Sequence, residues 1–250
     1  MVRRTSEARC ASRESDLDRW MAAAQCELAN GPVGSDEYRI VLLHDSEELW
    51  DIHSRKHGMP ISFRDIDHRI GAGNLSRRQP LGRAIGSKAK TVIDATAGLG
   101  HDAALLACMG WHVFAIERDP FIASLLELAW EDAKRHPELW SLLDGHLRIQ
   151  RGDAVTVLAD QQADVVYLDP MYTDRRRRSS LPKKPAQVLQ ALASTSDESS
   201  LFEMAKQAAR RVIVKRPAHG PPLHDGVDLT FEGRMVRYDV YLNPNQEDAI

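Results

Sequence analysis

Asp169, Pro170 and Tyr172 place a carboxylate, a backbone carbonyl and an aromatic ring within four positions, at the end of the apolar run Ala163-Asp-Val-Val-Tyr-Leu-Asp-Pro-Met-Tyr172. These groups suit a chemistry that ordinary side chains do poorly. A nucleobase amine is a weak nucleophile because its lone pair is delocalised into the ring. A carboxylate and a carbonyl that accept its two N–H bonds turn that lone pair toward an electrophilic carbon. The aromatic ring offers a stacking platform for a base taken out of its helix. By itself an Asp-Pro pair also ends strands in plain turns, so its meaning depends on what else lies at the same end of the fold.

The second constellation is Thr91-Val-Ile-Asp-Ala-Thr-Ala-Gly-Leu-Gly100, followed by a helical stretch and then Trp111-His-Val-Phe-Ala-Ile-Glu117. An apolar strand ending at Asp94, a turn through Gly98 and Gly100, and a carboxylate 23 residues after Asp94 form the pattern of a nucleotide-binding βαβ unit. Glu117, at the end of the second strand, is placed to accept hydrogen bonds from a ribose diol. A dinucleotide-binding fold shares this geometry, and Ala103 in place of its third glycine does not separate the two. In an open α/β sheet the carboxyl ends of the strands line one crevice, which predicts that Asp169 and Tyr172 face the same cleft as Gly98 and Glu117.

Elements able to position these residues follow from hydrophobic periodicity. Strands are predicted near 91–95, 112–117, 147–151, 164–169 and 211–215, alternating with helices near 101–109, 120–135 and 197–210. Asp119-Pro120 carries a helix-start signal. Residues 230–235 read as the turn region of a terminal antiparallel hairpin whose second strand is 236–242. The fold class expected is α/β: a Rossmann-like class I methyltransferase sheet with a terminal hairpin, over residues 91–243. Ahead of it, residues 1–65 read as a small α+β region with a helix over 16–28, a strand over 38–43 and another at 61–63. Residues 66–90 read as a basic connector, and 244–250 as a frayed tail.

The 250 residues carry a net charge of −3, unevenly spread. Side-chain counts give +5 for 61–90, −8 for 91–170 and +3 for 171–250. Arg175, Arg176, Arg177 and Arg178, then Lys183 and Lys184, follow the Asp-Pro-Met-Tyr run directly. A run of this kind is often only a solvated loop, but beside a base-binding motif it suits the phosphates flanking a target nucleotide. Lys215 and Arg216 read either as further phosphate contacts or as ordinary strand-end charges. No stretch nears the ~18 apolar residues of a membrane span, and the first 30 residues build no apolar signal core, which points to a cytoplasmic protein. Cys10, Cys26 and Cys108 are odd in number and widely spaced, suggesting neither a disulfide framework nor a metal site.

The blocks Val92-Ile-Asp-Ala-Thr-Ala-Gly-Leu-Gly-His-Asp102, Glu117-Arg118, Val165-Val-Tyr-Leu-Asp-Pro-Met171 and Val212-Ile-Val-Lys-Arg-Pro217 together closely resemble the ribosomal RNA small subunit methyltransferase J family. The Asp-Pro-x-aromatic element resembles the motif of methyltransferases acting on exocyclic amines. The resemblance covers about residues 65–242. It implies S-adenosylmethionine (SAM) as cofactor, the N2 amine of a guanosine in 16S rRNA as acceptor, and free RNA or an assembling small subunit as partner. It also implies cofactor contacts at His101, Asp102, Glu117, Arg118, Asp153, Ala154 and Asp169, beside Asp94, Gly98 and Gly100 of the turn. Asp169, Pro170 and Tyr172 would carry the chemistry without a metal. This sequence departs from the family pattern in four places. His101 replaces an arginine, and Asp153-Ala154 stands for two serines, so that Asp153 could instead take the adenine amino group. Tyr172-Thr173 stands for Phe-Pro, and a basic glycine-rich run appears as His68-Arg-Ile-Gly-Ala-Gly-Asn74. Two other classes share parts of the pattern: a nicotinamide-dependent oxidoreductase on a similar core, and a non-catalytic RNA-binding assembly factor.

Overall fold

A computed structural model of the chain describes residues 26–30, 38–43, 49–50, 59–67, 75–170 and 198–243. The expectations for Tyr172, Arg175 to Arg178, Lys183, Lys184, His68 to Asn74 and the tail lie outside the described residues, as does most of the helix expected over 16–28. The chain divides into two compact units, one of residues 1–60 and 183–192, the other of 61–182 and 193–250.

In the smaller unit, β1 (Cys26–Asn30) and β2 (Tyr38–Leu43) pair antiparallel, and β2 also pairs with β3 (Leu49–Trp50) and β4 (Met59–Pro60). The strand over 38–43 is as the sequence predicts. The last residues of the expected helix are instead strand, since Cys26 to Leu28 pair with Leu42 to Ile40. Pairing with a distant segment overrides a local 3.6-residue spacing there.

The larger unit is a seven-stranded sheet with helices. Its strands are β5 (Thr91–Asp94), β6 (His112–Glu117), β7 (Leu147–Arg151), β8 (Ala163–Leu168), β9 (Ala209–Pro217), β10 (Leu229–Glu232) and β11 (Val236–Leu242). Their order is β10-β11-β9-β8-β5-β6-β7. The five strands β5 to β9 run parallel, and β11 lies antiparallel between β9 and β10. The chain moves outward from β5 to β6 and β7, then returns to place β8 against the other side of β5. That reversal opens a crevice at the carboxyl ends of β5 and β8, the place where ligands bind in such sheets.

The helices are α1 (Pro80–Ile85), α2 (His101–Cys108), α3 (Pro120–Ala133), α4 (Pro137–Leu143), α5 (Ala154–Leu158) and α6 (Glu198–Ala208). α2 and α3 pack against β6 and β7, while α6 packs against β8 and β9. With helices over it, the centre of the sheet reads as near-continuous apolar sequence, which is why Val165, Val166, Tyr167 and Leu168 are all buried. One core cluster joins Ile93, Ile116, Val166 and Val214 of the sheet to Leu158, Phe202 and Ala205 of α5 and α6. The start of α3 follows its signal. Asp119 accepts hydrogen bonds from the N–H groups of Phe121 (2.9 Å) and Ile122 (3.1 Å), with Pro120 in the first turn. A cap of this kind contributes about 1 kcal/mol.

Three helices, α1, α4 and α5, lack a sequence prediction because five to seven residues are too few to show a helical period. Residues 61–63 are not a strand. The segment 61–67 is irregular, buries Ile61, Phe63 and Ile66, and is tied to α3 by the Arg64–Asp132 pair, with Nε to Oδ2 at 2.8 Å. At the hairpin the turn is shorter than predicted. Leu229–Glu232 is already strand, leaving the bend at 233–235, where Gly233 N donates to Val236 O (2.8 Å). β10 alternates apolar and polar residues over only four positions, Leu229 to Glu232, and is mostly exposed, so the signal is short. Among the described residues no helix is long and apolar enough to cross a membrane.

Candidate active site

The glycine turn after β5 is built by backbone necessity. Asp94 is 1% exposed, and its Oδ1 accepts a hydrogen bond from Thr96 N (3.1 Å), so its carboxyl shapes the turn rather than offering an oxygen to the crevice. Burial, reinforced by the charge of Asp102, raises its pKa well above the ordinary carboxylate range. Gly98 and Gly100 sit at φ 56° and 79°, a region costly for residues with a Cβ. At Gly100 the space is closed as well: a Cβ would lie 2.3 Å from Leu126 Cδ1 and 3.2 Å from Phe63 Cζ. Gly100→Ala is therefore expected to destabilise the larger unit by about 1–3 kcal/mol, from strain and overpacking together. Urea denaturation checks this, and an unchanged midpoint would show that the turn relaxes freely.

Glu117, at the end of β6, is locked against that turn. Its Oε2 accepts the N–H of Gly98 (2.8 Å) and its Oε1 that of Asp119 (2.7 Å). Burial raises its pKa, opposed by these backbone donors. The backbone of Arg118 donates to the same carboxylate, so three of its roughly four lone-pair sites are taken and about one remains for a ligand hydroxyl. Asp153 follows β7, is exposed, and caps α5 by accepting from Val155 N (2.9 Å); Ala154 behind it is buried. Arg118 is partly exposed beside Glu117. His101 Nε2 lies 2.6 Å from Asp65 Oδ1. Burial pushes its pKa down, but the bond to Asp65 and the Asp65 charge outweigh this, and the net shift is upward.

Asp169 closes β8 beside this turn. Its N–H donates to Thr96 Oγ1 (2.6 Å), and Ala95 N donates to Tyr167 O (3.0 Å), so the acidic motif and the glycine turn are stitched together. The Asp169 side chain is 40% exposed. Its Oδ2 accepts from Lys215 Nζ (2.9 Å), and the same ammonium donates to Asp102 Oδ2 (2.7 Å). Tyr167 OH donates to that Asp102 oxygen as well (2.6 Å). Burial raises the Asp169 pKa against the opposing charge of Lys215. At Asp102 burial pushes the same way, but the charge and hydrogen bond of Lys215 and the hydroxyl of Tyr167 win, and its pKa falls. Lys215 stays protonated: burial disfavours the charge, but the two carboxylates raise its pKa further than burial lowers it.

The crevice thus brings together Gly98, Gly100, Asp102, Glu117 and Asp169 as the sequence suggests, and adds Thr96, Tyr167 and Lys215 in roles it did not suggest. Lys215 does not stand as a free strand-end cation for phosphate, because both neighbouring acids claim it. Arg216, one residue on, is 5% exposed and donates to Pro221 O (3.0 Å), so it holds the loop after β9 and offers no surface to RNA.

The profile of the putative SAM-dependent methyltransferase family matches residues 23–243. Ribosomal RNA small subunit methyltransferase J of Halorhodospira halophila is 38% identical over 238 residues, covering 88% of each chain. The chain belongs to the ribosomal RNA small subunit methyltransferase J family. The protein of that name from Nitrosococcus oceani is 37% identical over 86% of this chain and 89% of its own. A SAM-dependent methyltransferase from Neisseria gonorrhoeae shares the fold with a TM-score of 0.57 and 26% identity, covering 94% of each chain. Membership makes this protein a SAM-dependent methyltransferase rather than an oxidoreductase or a passive assembly factor. The crevice fits that cofactor: a positive-φ glycine turn permits close approach, and Glu117 beside it suits a ribose.

Proposed function

We propose that this methyltransferase places a methyl group on the N2 amine of a guanosine in small-subunit ribosomal RNA, the substrate class named for its relatives. SAM supplies the electrophilic methyl carbon when bound. Glu117 holds the ribose, with Asp102, His101, Arg118, Asp153 and Ala154 around the remainder of the cofactor. Asp169 Oδ1 and the Pro170 carbonyl accept the two N–H bonds of the amine, and Tyr172 stacks on the base. The bound cofactor would supply the methyl to this nitrogen as an electrophile, its sulfur leaving with the bonding electron pair. The nitrogen then releases one proton, for which Asp169, raised in pKa by burial, is the nearest acceptor. The observation that carries this reading is the partly exposed Asp169 carboxylate, fixed through its own N–H to the glycine turn at the switch point of the sheet. Such a substrate places the enzyme in the cytoplasm, working on free RNA or on an assembling subunit. Mass mapping of small-subunit RNA from cells with and without the protein tests it, and the loss of one N2-methylguanosine is the expected result.

Glu117→Ala is expected to weaken SAM binding by about 1–3 kcal/mol through loss of charge-assisted hydrogen bonds. Titration calorimetry on the folded variant reads this directly, and unchanged affinity would remove Glu117 from the cofactor site.

A further inference from the structure

Lys215 is a cation that direct methyl transfer does not require. A positive sulfonium gains nothing from a second positive charge nearby, and burying an ammonium costs solvation unless partners compensate. The fold compensates it fully, with Asp102 at 2.7 Å and Asp169 at 2.9 Å, and Tyr167 OH fixes Asp102 in turn. An ammonium has three N–H donors, of which these contacts use two. On Asp169, Oδ2 faces Lys215, and no described residue donates to Oδ1. Both side chains remain partly exposed, at 22% and 40%. The crevice therefore presents, side by side, an acceptor (Oδ1), an acceptor (Oδ2) and a donor (Nζ).

That order is the complement of one nucleobase edge. Guanine presents its 2-amine as donor, N1–H as donor and O6 as acceptor, in sequence. Adenine presents an amine and then the bare lone pair of N1, which would face a carboxylate oxygen. We propose that Lys215 selects the base: its third N–H donates to guanine O6, while Asp169 holds N1–H and the 2-amine that receives the methyl. Enzymes that act on extruded bases read this edge by hydrogen bonds, and a site built to pair with polar groups discriminates strongly against a base lacking them. The inference rests on the guanine reading above and adds the residue that enforces it.

Single-turnover methylation of small-subunit RNA is the test, with the target guanosine, located first by mass mapping, either intact or replaced by 2-aminopurine. That analogue keeps the 2-amine and lacks both O6 and the N1–H, so its N1 lone pair faces Asp169 while nothing at position 6 accepts from Lys215. Lys215→Met should slow transfer to guanine by roughly 10- to 100-fold and leave the slower 2-aminopurine rate unchanged, narrowing the preference of the parent enzyme to the part owed to N1–H. Equal loss on both bases would mean that Lys215 only props Asp169, and no loss on guanine would mean that it does not touch the base; either overturns the proposal. Lys215→Gln retains an N–H donor and should fall between parent and Met variant. It gives the same comparison if Lys215→Met, which strips Asp102 of its cation, does not fold. A parent enzyme that methylates RNA elsewhere than a guanine N2 refutes the underlying reading, and this one with it, before any variant is made.

Discussion

Asp169→Ala should lower single-turnover methyl transfer by about 100- to 1,000-fold while SAM affinity and RNA affinity change far less, because the amine contact strengthens only as charge develops on nitrogen. The substitution is tolerable for the fold: Lys215 keeps Asp102 as its counter-ion at 2.7 Å, and the backbone bond from position 169 to Thr96 Oγ1 does not involve the lost side chain. The pH profile gives an independent reading. Transfer requires the ionised carboxylate, so activity should fall as pH drops through the Asp169 pKa, which burial sets above the usual carboxylate value. Asp169→Asn should abolish that acid limb. Rapid-quench kinetics across pH, beside filter binding, settles the point: an equal loss in transfer and in RNA binding would make Asp169 a docking residue instead.

The second large effect is expected from the basic run after the motif. Replacing Arg175, Arg176, Arg177 and Arg178 together with Ala should weaken RNA binding and flatten the slope of log affinity against log salt by about one unit per lost phosphate contact, close to four in all. Compensation from the core is limited, since residues 91–170 carry a net charge of −8. Lys215 and Arg216 cannot substitute either, being committed to Asp102, Asp169 and Pro221. Cofactor affinity should barely move. Binding isotherms at several salt concentrations measure the slope. A quadruple variant with the parent slope would assign the run to a solvated loop and move the docking surface toward Arg77, Arg78 and Arg83.

Much of the sheet was legible because its central strands are buried between helices, and burial on both faces writes an apolar run directly into sequence. The glycine turn was legible for a different reason: φ values of 56° and 79° admit few residues other than glycine, so backbone geometry leaves a chemical mark. The cap of α3 left its mark in Asp119-Pro120 in the same way. Short helices such as α4 and α5 left none, and the smaller unit misled at Cys26 to Leu28, where strand pairing with Leu42 to Ile40 prevailed over local spacing. The acids of the site were likewise visible one by one, because each ends a strand or begins a helix.

What sequence could not yield was their division of labour. Lys215 lies 46 residues from Asp169 and 113 from Asp102, and no local pattern marks it as their shared counter-ion. Nor does anything local distinguish it from Arg216, which turns away to Pro221. Only the closing of β9 against β8, with β5 on the other side of β8, carries an ammonium into hydrogen-bonding distance of both acids. Coulomb attraction and desolvation depend on distance through space and not along the chain. The identity of the site residues was therefore largely a property of the sequence, whereas their charge states and partners were decided by the tertiary fold.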